Sequence, residues 1–243
     1  CKCSDYPNAI GAILSKLLVQ NVQPMLYFFS SVCYPVAVWW EQPENNVPKV
    51  FLKKENWIFF NSTFGKKPGV EMGKFLMKHG MNEVNYFSPY HNSSWSQDRL
   101  TGLVEAGLKV HAYVDNEFAS PWDYKEIARK EVEKYFVESY ARTLVKQKIE
   151  TLVKKAESDD NHFMNVCVND EVAELIIEMK ENSNKVPKLI AFDNSMESYL
   201  LRLPSFDFNT EALVEHIFYY IENPAGFGHT KKVQHILGNV VEK

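Results

Sequence analysis

The chain has 243 residues, of which 45% are hydrophobic and 14% aromatic, enough to bury the core of one domain or of two lobes. Its formal charge of −4 and pI near 6.0 exclude a surface built mainly as a nucleic-acid footprint, because such domains gather Lys and Arg. No apolar run approaches the roughly 20 residues of a membrane-spanning helix, so the sequence reads as soluble.

Residues 9–19 predict a short amphipathic helix, followed by apolar strands at 24–29 and 35–40. A polar, proline-bounded connection at 42–48 leads to short strands at 50–52 and 57–60. Residues 61–68 read as a loop that feeds a helix at 69–79, which stops at Gly80, a good left-handed C-cap. Strand 83–87, loop 88–94, helix 96–106 and strand 109–114 continue an alternation expected of parallel α/β winding. Residues 123–156 form the longest helical pattern, with Ile127, Val132, Phe136, Tyr140, Leu144 and Ile149 near helical spacing and Lys and Glu between them. Then come strand 163–168, helix 170–181, strand 188–192, an extended piece near 203–208, helix 210–223, a glycine-containing loop at 225–230 and a closing strand at 233–241. The strands ending at Val168 and Phe192 are each followed by an amide or carboxylate, Asn169 and Asp170 in one case and Asp193 in the other. In a βαβ unit ligands gather beyond strand C-terminal ends, so these residues sit where a cleft is expected.

Cys1, Cys3, Cys33 and Cys167 show no repeated metal-type spacing, so they read as reduced thiols, and neither a metal nor a cofactor is implied. Asn61-Ser62-Thr63 and Asn92-Ser93-Ser94 fit the glycosylation pattern, which decides nothing without a signal peptide.

Three stretches carry a resemblance. They are Gly69-Val70-Glu71-Met72-Gly73-Lys74-Phe75-Leu76-Met77-Lys78-His79-Gly80 with Val84-Asn85-Tyr86-Phe87-Ser88-Pro89, then Arg99-Leu100-Thr101-Gly102-Leu103, then Asn169-Asp170-x-x-Ala173 with Val186-Pro187 and Phe192-Asp193. In order and interval, over roughly residues 50 to 225, the chain resembles the effector-binding domain of the lactose/galactose repressor family. That resemblance implies an α/β fold of the type I periplasmic-binding-protein kind: two Rossmann-like lobes with parallel sheets and a small molecule, often a sugar, clamped in a cleft between them. The lobes expected are 1–83 with about 207–232, and 84–206 with about 233–243. It also implies a cytoplasmic homodimer that regulates transcription, with DNA contacted only through a domain not recognisable in this stretch, and no membrane partner. The usual first strand and helix of the N-terminal lobe are not recognisable either.

A sugar presents hydroxyls that donate and accept, so its site needs carboxylates, amides, a guanidinium and a flat aromatic face. Arg99, Asn169 and Asp193 match family positions that contact effector and can supply the polar set. Trp95, Tyr90, Phe118 and Phe208 are the stacking candidates; Trp95 stands out because Ser93, Ser94, Ser96 and Gln97 surround it in sequence. Asn61 could reach the cleft from the first lobe, and Ser88 is a further loop donor. Asp170 reads as the cap of the helix that follows it rather than as a ligand contact.

Three rivals remain. A transporter-associated solute-binding protein would share the fold and the clamp but should carry an export signal. An α/β enzyme could draw on Ser205, His91, His111 or Asp115, yet no Gly-x-Ser-x-Gly elbow, phosphate-binding glycine loop or His-Glu-x-x-His occurs. A thioredoxin-like module is suggested by Val186-Pro187 before a strand, against which stand the excess length and the missing Cys-x-x-Cys.

Overall fold

A computed structural model describes residues 8–15, 26–27, 29–42, 44–159, 162–180 and 187–243. Two compact units result, Cys1–Phe64 with Phe208–Gly238, and Gly65–Asp207 with Asn239–Lys243.

The first unit holds a four-stranded, fully parallel sheet in the order β1-β2-β3-β9, formed by Ala12–Ser15, Val36–Trp40, Trp57–Asn61 and Val233–His235. Its two central strands are continuous apolar runs because both faces of a parallel sheet are covered. Alternation survives inside them: Trp57 and Phe59 enter one core with Val36, Val38, Trp40 and Phe51. Ile58 and Phe60 enter the other, where Leu213, Ile217, Tyr220 and Ile221 of the helix Thr210–Glu222 cover the sheet.

Three local readings change in this unit. Residues 12–15 form β1 where a helix is expected, because pairing with β2 and burial of Leu14 outweigh an ambiguous short apolar run. Lys49–Leu52 make one helical turn, α1, rather than a strand, placing Phe51 under the Trp57 ring at 4.9 Å. Half of the strand expected at 24–29 falls outside the described residues, and Leu26 and Tyr27 within it are helical. Cys33 is disulfide-bonded, which corrects the expectation of reduced thiols there, while Cys167 is free and buried. Spacing in sequence cannot reveal a bridge whose condition is the approach of two Cβ atoms.

The second unit holds a six-stranded sheet in the order β10-β8-β7-β6-β4-β5. The strands are Glu83–Ser88 (β4), Lys109–Val114 (β5), Met164–Cys167 (β6), Leu189–Phe192 (β7), Ser205–Asp207 (β8) and Asn239–Val241 (β10). All neighbours run parallel except β10, which lies antiparallel on β8. Its helices are Lys67–Lys78 (α2), Ser94–Glu105 (α3), Pro121–Glu131 (α4), Val137–Ser158 (α5), Asp170–Lys180 (α6) and Met196–Leu200 (α7), and Thr210–Glu222 of the first unit is α8.

Two boundaries differ from expectation. Helix α2 belongs to the second unit, where it lies on α3, and the expected closing strand divides: β9 pairs with β3 and β10 with β8. The single helix expected over 123–156 is two, because Val132 is extended (φ −135°, ψ 161°) and a 3-10 turn occupies Lys134–Phe136. No Gly or Pro marks that break, so the sequence is silent on it. Ala141, Val145, Ile149, Leu152, Val153 and Ala156 give α5 its buried face, and Lys and Glu remain outside.

Among the described residues no helix is long and apolar enough to cross a membrane, and no group of three or more His, Cys, Asp or Glu could hold a metal ion.

Candidate functional site

The C-terminal ends of β4, β6 and β7 bring the principal candidates of the second unit together. Ser93 caps α3: its Oγ accepts from the Ser96 amide at 3.3 Å and donates to the Tyr90 carbonyl at 2.6 Å, tying the helix to the loop after β4. Arg99 follows Trp95 by one helical turn, so both side chains occupy one face. The Arg99 side chain is only 11% exposed. Its guanidinium carbon lies 4.9 Å from the Trp95 ring centre and 4.8 Å from that of Phe192, the last residue of β7. A cation between two aromatic faces is held electrostatically and screened from water. Nη1 donates to the Val168 carbonyl, and Nη2 donates to Asp193 Oδ1 at 2.9 Å.

Asp193 and Asn194 both have positive φ, 107° and 50°, a conformation that favours glycine. Strain of this kind persists where neighbouring bonds over-determine it. Here the Asp193 amide donates to the Phe206 carbonyl at 3.0 Å and the Asn194 amide donates to Ser205 Oγ at 3.0 Å. The turn aims the Asp193 carboxylate at Arg99. That side chain remains 43% accessible, yet the protein atoms crowding it push its pKa above the ordinary aspartate value. Asp170 pushes in the same direction, and Arg99 opposes both.

Asn169 follows the carbonyl that Arg99 binds and is half-buried. Its Oδ1 accepts from the Val172 amide at 3.0 Å, so Asn169 caps α6, a role the sequence had suggested for Asp170. Asp170 is instead buried and accepts from Ser205 Oγ at 2.6 Å and from the Ser195 amide at 2.7 Å. It joins the start of α6 to β8 and to the start of α7.

Other candidates are placed differently. Tyr90 is fully buried, its ring 6.1 Å from Trp95 and 5.9 Å from Tyr124, and its hydroxyl points at Glu171 over 3.5 Å. It braces Trp95 from behind and presents no face to a solute; burial raises its pKa. Ser88 is also fully buried and accepts from Ser96 Oγ at 2.8 Å and from the Tyr90 amide at 3.2 Å, so it stiffens the loop instead of offering a free donor. Phe118 is half-buried against Tyr124 at 4.5 Å, with Lys148 Nζ 5.8 Å from its ring. Asn61 and Phe208 belong to the first unit. The Asn61 amide donates to the Trp40 and Gln42 carbonyls at 3.0 and 2.9 Å and is 2% exposed, so it holds the chain after β2. Phe208 is half-buried.

Two contributors escape a reading of side-chain types. The Val168 carbonyl is backbone, and Phe192 looks like any core strand residue; its one signal is its place immediately before Asp193. The enzyme candidates do not converge. Ser205 serves Asp170, His111 meets Glu83 at 3.1 Å, and Asp115 meets Lys148 at 2.9 Å. His91 Nδ1 lies 2.9 Å from Ser96 Oγ, but Ser96 is fully buried and a substrate carbonyl cannot reach it.

No protein-family model and no curated protein matches the chain. Solved structures do. The transcriptional repressor AscG of Escherichia coli aligns over 96% of this chain and 97% of its own, with TM-score 0.57 and 12% identity. GanP, a glucose-galactose binding protein from Geobacillus stearothermophilus, aligns over 98% of this chain and 78% of its own, with TM-score 0.57 and 14% identity. A LacI family transcriptional regulator from Enterococcus faecium, with bound ribose, aligns over 97% and 79%, with TM-score 0.52 and 14% identity. The chain has the periplasmic-binding-protein-like fold. Within that fold Arg99, Trp95, Phe192 and Asp193 stand at the carboxyl ends of parallel strands, the position at which open α/β sheets receive ligands. These neighbours are regulators and binding proteins rather than enzymes.

Proposed function

We propose that this chain is the sugar-sensing, effector-binding part of a cytoplasmic transcriptional regulator, acting as a homodimer and reaching DNA through a separate domain. One observation carries the reading: a buried guanidinium boxed by Trp95 and Phe192 and paired with the accessible Asp193 carboxylate, in a fold shared with AscG and the ribose-bound regulator. Asp193 accepts from sugar hydroxyls, Asn169 flanks the pair, Trp95 offers a face to the ring, and Phe118 is a secondary contact. Ligand binding favours one arrangement of the protein over another, and that difference in affinity biases the paired subunit. In this reading the ligand is bound and released unchanged.

A second reading, a solute-binding protein for sugar uptake, is favoured by the match to GanP. The exposed α7 residues Met196, Tyr199 and Leu200 weigh toward the dimeric reading, because a partner subunit would cover them. A thermal-shift screen with ribose, glucose, galactose and cellobiose tests the proposal: at least one sugar raises the melting temperature by mass action in the wild type, and by less at the same concentration in Arg99→Ala. A flat response across mono- and disaccharides in the wild type refutes sugar sensing. Light scattering separates the two readings, a dimer supporting the regulator and a monomer with and without sugar supporting the uptake protein.

A further inference from the structure

Helices α2 and α3 meet through a seam that leaves no room for side chains. A Cβ built on Gly69 would lie 2.2 Å from the Arg99 carbonyl oxygen and 3.0 Å from Gly102 Cα. One built on Gly102 would lie 2.2 Å from the Lys66 carbonyl oxygen and 2.8 Å from Gly69 Cα. A turn further along, a Cβ on Gly73 would meet Ala106 Cβ at 2.4 Å. Contact at the first two positions is backbone against backbone, so neither helix can absorb an added atom by turning a rotamer. The seam bears directly on the backbone of Arg99.

We infer that Gly69 and Gly102 are positioning residues for the Arg99 guanidinium, a role that gains its functional meaning from the sugar-site reading above. The guanidinium is boxed by groups of two origins. Trp95 rides on α3 with Arg99, whereas Phe192, Asp193 and the Val168 carbonyl belong to the ends of β6 and β7. A displacement of α3 away from α2 carries Trp95 and Arg99 together and shears them against the strand-borne half. A long side chain in solvent would adjust; one held between two rings and two acceptors has few other geometries.

The test needs no ligand, so its failure is distinct from failure of the sugar reading. The chain contains four arginines, Arg99, Arg129, Arg142 and Arg202, and only Arg99 is buried. In the 15N-labelled full chain the Arg99 Nε–H resonance is expected as an outlier, shifted by the two flanking rings and protected from exchange, and Arg99→Lys assigns it by its loss. Gly69→Ala and Gly102→Ala should move that resonance toward the exposed arginines or broaden it away. Gly73→Ala, which pries the seam at its far end, should shift it partly, and adding Ala106→Gly should restore it by removing the opposing methyl. A seam that is merely structural would change the melting temperature without moving the Arg99 resonance. A folded Gly69→Ala with an unaltered resonance overturns the inference. If Gly69→Ala and Gly102→Ala do not fold, the Gly73→Ala single and its Ala106→Gly double decide: an unmoved resonance in the single overturns it, and a shift reversed in the double upholds it.

Discussion

The two units use the same strand-and-helix alphabet for different ends. In the first, the central strands read Val36-Ala37-Val38-Trp39-Trp40 and Trp57-Ile58-Phe59-Phe60-Asn61, aromatic rings fill both faces, and the polar end residue Asn61 is consumed in holding carbonyls. In the second, the strands that matter are short; Asn169 after β6 is spent on capping α6, whereas Asp193 after β7 keeps a side chain that is only partly enclosed. The same sequence feature, an amide or carboxylate at a strand end, is thus architecture at Asn61 and Asn169 and an accessible chemical group at Asp193. Whether neighbouring backbone has claimed its hydrogen bonds makes the difference.

The largest effect expected from breaking this contrast lies in the first unit. Trp57→Ala removes a fully buried ring stacked at 4.9 Å on Phe51 and should destabilise by about 3–5 kcal/mol in denaturant melts. Trp57→Phe should lose much less, because the indole N–H finds no hydrogen-bond partner among the described residues. Neither should change sugar affinity in protein that stays folded.

Arg99→Ala attacks the second unit's charged box. Charge-assisted hydrogen bonds contribute about 1.5–3 kcal/mol each, so calorimetry should show affinity for the responding sugar falling by about tenfold to more than a hundredfold. An unchanged affinity would remove Arg99 from the site.

Asn61→Ala sharpens the comparison from the other side. It removes the side-chain donor to the Trp40 and Gln42 carbonyls and should lower stability by about 1–3 kcal/mol, leaving sugar affinity intact. A selective loss of affinity at constant stability would instead restore Asn61 to the ligand site.

The smallest effect is a pH dependence. Crowding raises the Asp193 pKa above its ordinary value, so the folded state holds that proton more tightly than the unfolded chain does. Lowering the pH through that raised value therefore relieves the fold of an unfavourable charge, while it removes the carboxylate that Arg99 and a sugar hydroxyl would use. Affinity measured from pH 7 downward should begin to fall above the ordinary aspartate pKa of about 3.9. That component should be missing from Asp193→Asn, and parallel curves for the two proteins would assign the titration elsewhere.

Periodicity was most informative where elements are long and capped. The α2 to β5 alternation, α6, β7 and α8 lie within a few residues of where apolar spacing, Gly80 and the polar strand ends place them. It failed for short apolar pieces, β1 and α1, whose state is set by whatever they pack against, and at Val132, where a helix breaks without a breaker residue. Among the site candidates, Arg99, Trp95 and Asp193 do converge, whereas Tyr90 and Ser88 lie in the right loop but face inward.

Composition and spacing alone therefore determined the α/β class, the strand ends where polar groups collect, and the residue types able to grip hydroxyls, because burial of apolar surface and backbone geometry are local rules written in residue order. The tertiary structure alone decided which of those groups are spent on the protein's own backbone. It alone boxed Arg99 between Trp95 and Phe192, bridged Cys33, and divided the last strand between two sheets. Each of these depends on partners distant in sequence, and hydrogen-bond satisfaction and close packing are settled only when such partners meet.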